Sequence, residues 1–236
     1  MITSLKLFLI SIYTIILSIL ALISIAIDRS FILYHYLTKA FSFGVLFITR
    51  VKVKLIGVEN IERKSVYVFV SNHLSQFDIA VLQWGLPNRL AMIFKKELTT
   101  IPLFGWQLKF GPYIMVDRKS PESGMKSIEE SKQLMKTKGI SVLVFPEGTR
   151  SETGELLPFK RGAFHLAAQV GYPIVPVSII GSEKIMPKGT FKLKSGLVKL
   201  IIDKPISTEN IKNKSDEVNL MDKIRNIIQK NKEMYQ

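Results

Sequence analysis

Asn72-His73-Leu74-Ser75-Gln76-Phe77-Asp78 is the stretch on which the reading of this chain turns. It follows Val66-Tyr67-Val68-Phe69-Val70, a β-branched and aromatic run of the kind that forms a buried strand. Only three histidines occur in 236 residues, so an imidazole at a strand exit beside a carboxylate is not noise of composition. On one continuous helix His73 and Asp78 would point about 140° apart, at roughly 100° per residue. They meet only if a helix begins between them. Ser75-Gln76-Phe77-Asp78 fits the Ser-x-x-Asp variant of a capping box, which predicts that Ser75 caps a helix carrying Asp78 in its first turn. His73 then lies in the loop just ahead of that helix, within reach of the carboxylate. The pair is a candidate general base with its orienting partner.

Outward from this motif, strand-like and helix-like segments alternate. Val51-Lys-Val-Lys-Leu55, Leu90 to Phe94, Tyr113 to Val116 and Ile140 to Phe145 read as strands. The helix of the motif continues to Gly85. Ser123 to Lys138 is a charged amphipathic helix closed by Gly139, and Gly162 to Val170 is a short one stopped by Gly171. Pro173 to Ile180 is strand-like but holds two prolines, which predicts an irregular or edge strand. Phe191 to Ile202, broken at Ser195-Gly196, reads as a hairpin, and a polar helix is expected around Val218 to Lys230. The expected fold is α/β, a mixed and largely parallel sheet flanked by helices.

The front of the chain is different. From Leu7 to Ile27 it carries no charge, and about twenty such residues at 1.5 Å each span the hydrocarbon layer. A cleaved signal peptide fits less well, because the run is long and no small-residue cleavage site precedes a polar start. Phe31 to Thr49 is apolar and aromatic but interrupted by His35 and Lys39, so it reads as interfacial. A hairpin dipping into one leaflet, a single span, and packing of these helices onto the following domain all remain open. Residues 1–50 are therefore expected to form a membrane-anchoring unit, and 51–236 a second, α/β domain.

Composition narrows the partners. There is no cysteine, so disulfides, thiolate metal sites and a cysteine nucleophile are excluded. A formal net charge of +14 calls for an anionic partner, whether nucleic acid, an anionic membrane face or a phosphorylated substrate. The lysines, however, are scattered rather than interleaved with aromatics, and the front end is lipid-like, which argues against nucleic acid. Lys184, Lys188, Lys192, Lys194 and Lys199 form a dispersed basic region suited to a membrane surface. No second histidine stands at ligand spacing from His73, so a metal role is disfavoured.

Phe145-Pro146-Glu147-Gly148-Thr149-Arg150-Ser151 also leaves a strand directly. Pro-Glu-Gly makes a tight turn in which Gly148 is free to take positive φ. The turn sets Glu147 and Arg150 at the rim of the sheet, where α/β proteins bind ligands. Arg150 can grip phosphate through its fork, and Gly148 with neighbouring amides can support an oxyanion.

Taken with Asp117-Arg118, Val175-Pro176-Val177 and Lys95-Lys96-Glu97-Leu98 ahead of Ile101-Pro102-Leu103-Phe104-Gly105, these blocks resemble the glycerolipid acyltransferase family, closest to members that acylate 1-acyl-glycerol 3-phosphate. The resemblance covers roughly residues 51–203 and leaves the last thirty residues without a motif. It implies transfer of a fatty acyl group from a thioester, of coenzyme A or acyl carrier protein, to the free hydroxyl of a lysophospholipid acceptor, yielding phosphatidic acid. Lyso-ornithine lipid, glycerol 3-phosphate and other lysolipids are alternative acceptors. Beyond that co-substrate no cofactor is implied. A membrane site at the cytoplasmic face, in a bacterial inner membrane, is implied as well.

Within that reading His73 and Asp78 are the catalytic pair, and Arg118, Glu147, Gly148, Thr149, Arg150, Lys95 and Lys96 bind the acceptor. Glu147 is expected to hold a glycerol hydroxyl or an arginine rather than phosphate. A covalent ester on Ser75 conflicts with its capping role. Lys160-Arg161 reads equally as a pair that binds acceptor or anionic lipid or as a solvated helix start, and His165 as a packing or surface residue. A basic nucleic-acid-binding protein and a non-catalytic membrane scaffold are the readings of other classes.

Overall fold

Two apolar helices, α1 (Ile2–Ile27) and α2 (Ile32–Thr49), lead the chain in a computed structural model that describes residues 2–117, 120–190 and 192–235. There follow β1 (Val51–Ile56), β2 (Val68–Ser71), α3 (Phe77–Gly85), β3 (Leu90–Lys95), α4 (Phe104–Phe110) and β4 (Ile114–Val116). The remainder comprises α5 (Pro121–Lys138), β5 (Ser141–Val144), α6 (Gly162–Val170), β6 (Ile174–Ile180), α7 (Ser182–Ile185), β7 (Gly196–Ile202) and α8 (Lys214–Tyr235).

The described strands form one sheet in the order β1-β7-β6-β2-β5-β3-β4. All pairings are parallel except β6 with β7, so the sheet is mixed and largely parallel, as expected. Strand composition follows position. Central β2 reads Val-Phe-Val-Ser with every residue buried, the continuous apolar pattern of a strand covered on both faces. Edge strand β1 exposes Lys52 and Lys54, charges that discourage edge-to-edge pairing.

Alternation along the strands sorts the core into two layers. Phe69, Leu143, Val175 and Val177 point to the side where Phe77, Val81 and Leu82 of α3 and Leu46 of α2 pack. Val68, Val70, Val142 and Ile174 point to the other side, against Phe164 of α6, Met135 of α5 and Ile224 and Ile228 of α8.

Two expectations are corrected. β6 is neither irregular nor at an edge: all seven residues are buried, and it lies between β7 and β2. Pro176 is tolerated because the β6–β7 ladder begins only at Val177, opposite Ile202. The Pro176 carbonyl takes Asp203 N–H at 3.0 Å just beyond that ladder, where the absent proline N–H breaks no paired run. The hairpin at Phe191 to Ile202 does not form. Phe191 lies outside the described residues, 192–195 are not strand, and Gly196–Ile202 pairs with β6 and β1 instead.

Both N-terminal helices are long and apolar enough to cross a membrane. Asp28 builds the turn between them, its carboxylate accepting Ser30 and Leu33 N–H at 2.8 Å each. Phe8, Ile12, Ile15, Ile19 and Ile23 of α1 stay exposed, an apolar surface far beyond what water favours. The other side of the hairpin is docked, α1 on α4 and α2 on α3. Lys39, which looked like an interruption of the apolar run, donates from α2 to the carbonyls of Trp84 and Leu86 at the end of α3. It satisfies carbonyls that the helix terminus leaves open.

Candidate active site

Parallel pairing of β2 with β5, in the register Val70↔Val144, delivers both strand-exit motifs to one rim of the sheet. Three contacts then lock the loops together. His73 N–H donates to Glu147 Oε1 at 2.8 Å, Ser151 N–H donates to the His73 carbonyl at 2.9 Å, and the His73 ring stacks on Phe145 with centroids 4.0 Å apart. On the opposite flank Asn72, fully buried, exchanges two side-chain hydrogen bonds with the backbone of Ile179 in β6, at 2.8 and 2.9 Å. The amide thereby extends the ladder one residue past the end of β2 and fixes where the histidine loop departs.

His73 Nδ1 lies 2.8 Å from Asp78 Oδ2. The same oxygen accepts the N–H groups of Leu74, at 2.6 Å, and Ser75, at 2.8 Å. Three contacts on one oxygen of a fully buried carboxyl group, in the first turn of α3, fix its orientation toward the ring. The Ser75–Asp78 capping geometry is present in substance although α3 starts at Phe77. Ser75 Oγ accepts Phe77 N–H at 3.3 Å and donates to the Met186 carbonyl at 2.9 Å, while Asp78 reaches back to Ser75 N–H. Ser75 is buried and so engaged, which leaves no exposed nucleophile there.

A ring that donates Nδ1–H to Asp78 would keep Nε2 as the nitrogen that accepts a proton. His73 lines a cleft of about 420 Å³ between the strand ends and helices α5 and α6. Its walls are largely apolar, including Ile93, Val116, Met125, Ile128, Val144 and Leu166. Gly148 and Lys160 line the same cleft. A base at the mouth of an apolar groove suits an alcohol carried on a hydrocarbon chain.

The other expected residues divide. Glu147 is buried, and its second oxygen accepts Leu157 N–H at 3.0 Å, so both oxygens are occupied by loop amides rather than offered to a hydroxyl or an arginine. Burial pushes its carboxyl up, moderated by those two amides. Gly148 has φ +70° as the turn requires, but its N–H is spent on the Phe145 carbonyl at 3.0 Å and is not free for an oxyanion. Thr149 is exposed. Arg150 is half-buried near the rim, and its guanidinium has no hydrogen bond or ion pair among the described residues. Lys95 pairs with Glu97 at 2.9 Å and Lys96 with Asp117 at 3.3 Å, and neither lines the cleft. Arg118 lies outside the described residues. Among the described residues no cluster of three or more potential metal ligands occurs.

His165 is bound to Glu217 of α8 at 2.8 Å, alongside Arg161 at 3.2 Å, and ties α6 to α8. Asn72 and Lys160 were underread. The signal for Asn72 was a buried amide directly after a strand, and for Lys160 its position at the N-terminal edge of a helix that returns to the sheet.

A model of the Acyltransferase family matches residues 52–180, more than half of the chain. A 1-acyl-sn-glycerol-3-phosphate acyltransferase of Limnanthes douglasii is 34% identical over 166 residues, 70% of this chain and 58% of the plant protein. One from Saccharomyces cerevisiae is 38% identical over 163 residues, 67% of this chain and 53% of the yeast protein. The chain thus spans somewhat over half the length of these relatives. The crystal structure of the 1-acyl-sn-glycerophosphate acyltransferase of Thermotoga maritima superposes with a TM-score of 0.81 at 25% identity, covering 97% of this chain and 92% of that one. With the matched region carrying both strand-exit loops and, among the described strands, all but β7 and the first residue of β1, the chain belongs to the acyltransferase family.

Proposed function

We propose that this protein transfers a fatty acyl group from an acyl thioester to the free hydroxyl of 1-acyl-glycerol 3-phosphate, forming phosphatidic acid. The observation that carries the reading is the 2.8 Å contact between His73 Nδ1 and Asp78 Oδ2 in an apolar-walled cleft. The names of the relatives support the acceptor.

An alcohol is a poor nucleophile until its proton leaves as the new bond forms. His73 Nε2 takes that proton while the hydroxyl oxygen attacks the thioester carbonyl, and Asp78 stabilises the imidazolium. The tetrahedral intermediate collapses, the C–S bond breaks, and the departing sulfur recovers the proton from His73. This is serine-protease logic with the alcohol supplied by the substrate. Arg150 and Arg118 hold the acceptor phosphate, and Glu147 sets the loop that carries His73. Acyl-CoA or acyl carrier protein serves as co-substrate, and the reading calls for no other cofactor.

Residues 1–50 serve as the membrane anchor and 51–236 as the acyltransferase domain. The exposed apolar side chains of α1 support membrane attachment, with the site on the cytoplasmic side of a bacterial inner membrane, where thioester donors are made. The test is incubation of the purified protein with lysophosphatidic acid and each donor class, read by mass spectrometry. Phosphatidic acid is expected from the wild type. His73→Ala should lose at least about 10²-fold of the rate, the lower range of base catalysis. Retention of more than roughly a tenth of the activity would remove His73 from the base role.

A further inference from the structure

Lys160 and Arg150 differ from the other cations around the site, and of the two only Lys160 lines the cleft. Lys95, Lys96, Arg161 and Lys188 are each committed to a carboxylate, of Glu97, Asp117, Glu217 and Glu152 respectively. The Lys160 ammonium has no hydrogen bond or ion pair among the described residues, yet it lines the cleft with His73. Lys160 is exposed to solvent, yet its side chain lies along the cleft, where an anionic group of a bound ligand would meet it in a charge-assisted contact.

Its placement is built rather than incidental. Lys160 N–H donates to the Pro146 carbonyl at 2.8 Å, which fastens the lysine to the same turn that Glu147 clamps to His73. From there its side chain folds over Gly148. A Cβ at position 148 would sit 3.0 Å from Lys160 Nζ and 3.2 Å from Cε. Glycine at 148 therefore serves two ends: the backbone is at φ +70°, and the absent side chain leaves the lane in which the lysine lies. The turn's own amide is not a competing donor, since Gly148 N–H is held by Phe145.

We infer that Lys160 is the cation inside the cleft that binds the phosphate of the acceptor, fixing the lipid so that its free hydroxyl reaches His73. Arg150, which does not line the cleft, then acts on the same phosphate from the rim. The inference rests on the acyltransferase reading and adds to it a determinant of acceptor class: a lysolipid with phosphate is favoured over a 1-acylglycerol without one.

The experiment compares wild type, Lys160→Met and Lys160→Arg, with Lys52→Ala on the exposed edge of β1 as control. Steady-state constants are measured with lysophosphatidic acid, with 1-acylglycerol, and with the thioester donor varied. Lys160→Met should raise KM for lysophosphatidic acid about tenfold or more, the loss expected of a charge-assisted hydrogen bond. KM for donor and the slow rate on 1-acylglycerol should not move, and Lys160→Arg should recover most of the loss. An unchanged acceptor KM overturns the inference. So does a rise in donor KM, which would assign the lysine to the donor's phosphates, or a fall in kcat alone, which would assign it to the tetrahedral oxyanion. Absence of product from lysophosphatidic acid with wild type would instead defeat the functional reading itself.

Discussion

The two loops that meet at the rim leave neighbouring parallel strands yet are built on opposite principles. In the loop from Asn72 to Asp78 the groups that orient the ring are buried and bound within the protein: the Asn72 amide, the Asp78 oxygen with its three donors, the Ser75 hydroxyl. In the loop from Gly148 to Lys160 the cations of Arg150 and Lys160 have no partner among the described residues. The first loop is fixed by the protein and does chemistry, for which geometry must be set before the substrate arrives. The second keeps its charges uncommitted, for which the substrate supplies the partner. Glu147 joins the two, with one oxygen on the His73 amide and the other on Leu157.

Substitutions can break that contrast in descending order of effect. Asp78→Asn should have the largest, because it removes the negative charge that the three donors meet and, with its NH2 donating to the ring, turns His73 toward the wrong tautomer. A fall in kcat of about 10³- to 10⁴-fold with folding retained is expected, by analogy with the same exchange in a catalytic triad. Glu147→Gln should come next. One of the two amides, of His73 or Leu157, loses its acceptor, and a displaced base costs on the order of 10² in kcat. The same variant has a signature in stability. The Glu147 pKa is raised above 4.5 by burial, so its contribution is full below that value and is lost as pH climbs through the raised one. Thermal melts of wild type should therefore show a decline over that window that Glu147→Gln lacks.

Changes in the open loop should act on binding. Arg150→Ala is expected to raise acceptor KM about tenfold with kcat largely kept, as for one charge-assisted contact. An unchanged KM would remove Arg150 from the phosphate. Thr149→Ala should be the smallest, within about twofold, since an exposed side chain outside the cleft lining is being trimmed.

What could be read from the sequence was what lies close along the chain. His73 and Asp78 are five positions apart, and strand exit, cap and carboxylate are all local, so the pair was legible in the sequence. The positive φ of Gly148 was legible for the same reason. What depended on pairing between distant segments was not. Two prolines argued for an irregular or edge strand over Pro173 to Ile180, but Pro176 falls where the ladder to β7 has not begun, and that register is set by residues 199–202. Glu147 looked like a ligand because its partners, the amides of His73 and Leu157, are invisible to pattern. Lys95 and Lys96 were expected to bind the acceptor, and their pairing with Glu97 and with Asp117, the latter from another strand end, was not visible in the sequence. The charge-free run from Leu7 to Ile27 was plain from hydropathy alone, whereas Lys39 as a fastener of α3 required the fold.

The central claim is that Asp78 holds His73 with its proton on Nδ1, leaving Nε2 to take the substrate's proton. With only three histidines in the chain, nitrogen-15 NMR of histidine-labelled protein, assigned with the His73→Ala variant, reads this directly. A neutral His73 ring protonated on Nδ1, with that proton shifted downfield and the shift lost in Asp78→Asn, is the predicted result. A neutral ring protonated on Nε2 would contradict the account, because the nitrogen not held by Asp78 would then have no lone pair to offer.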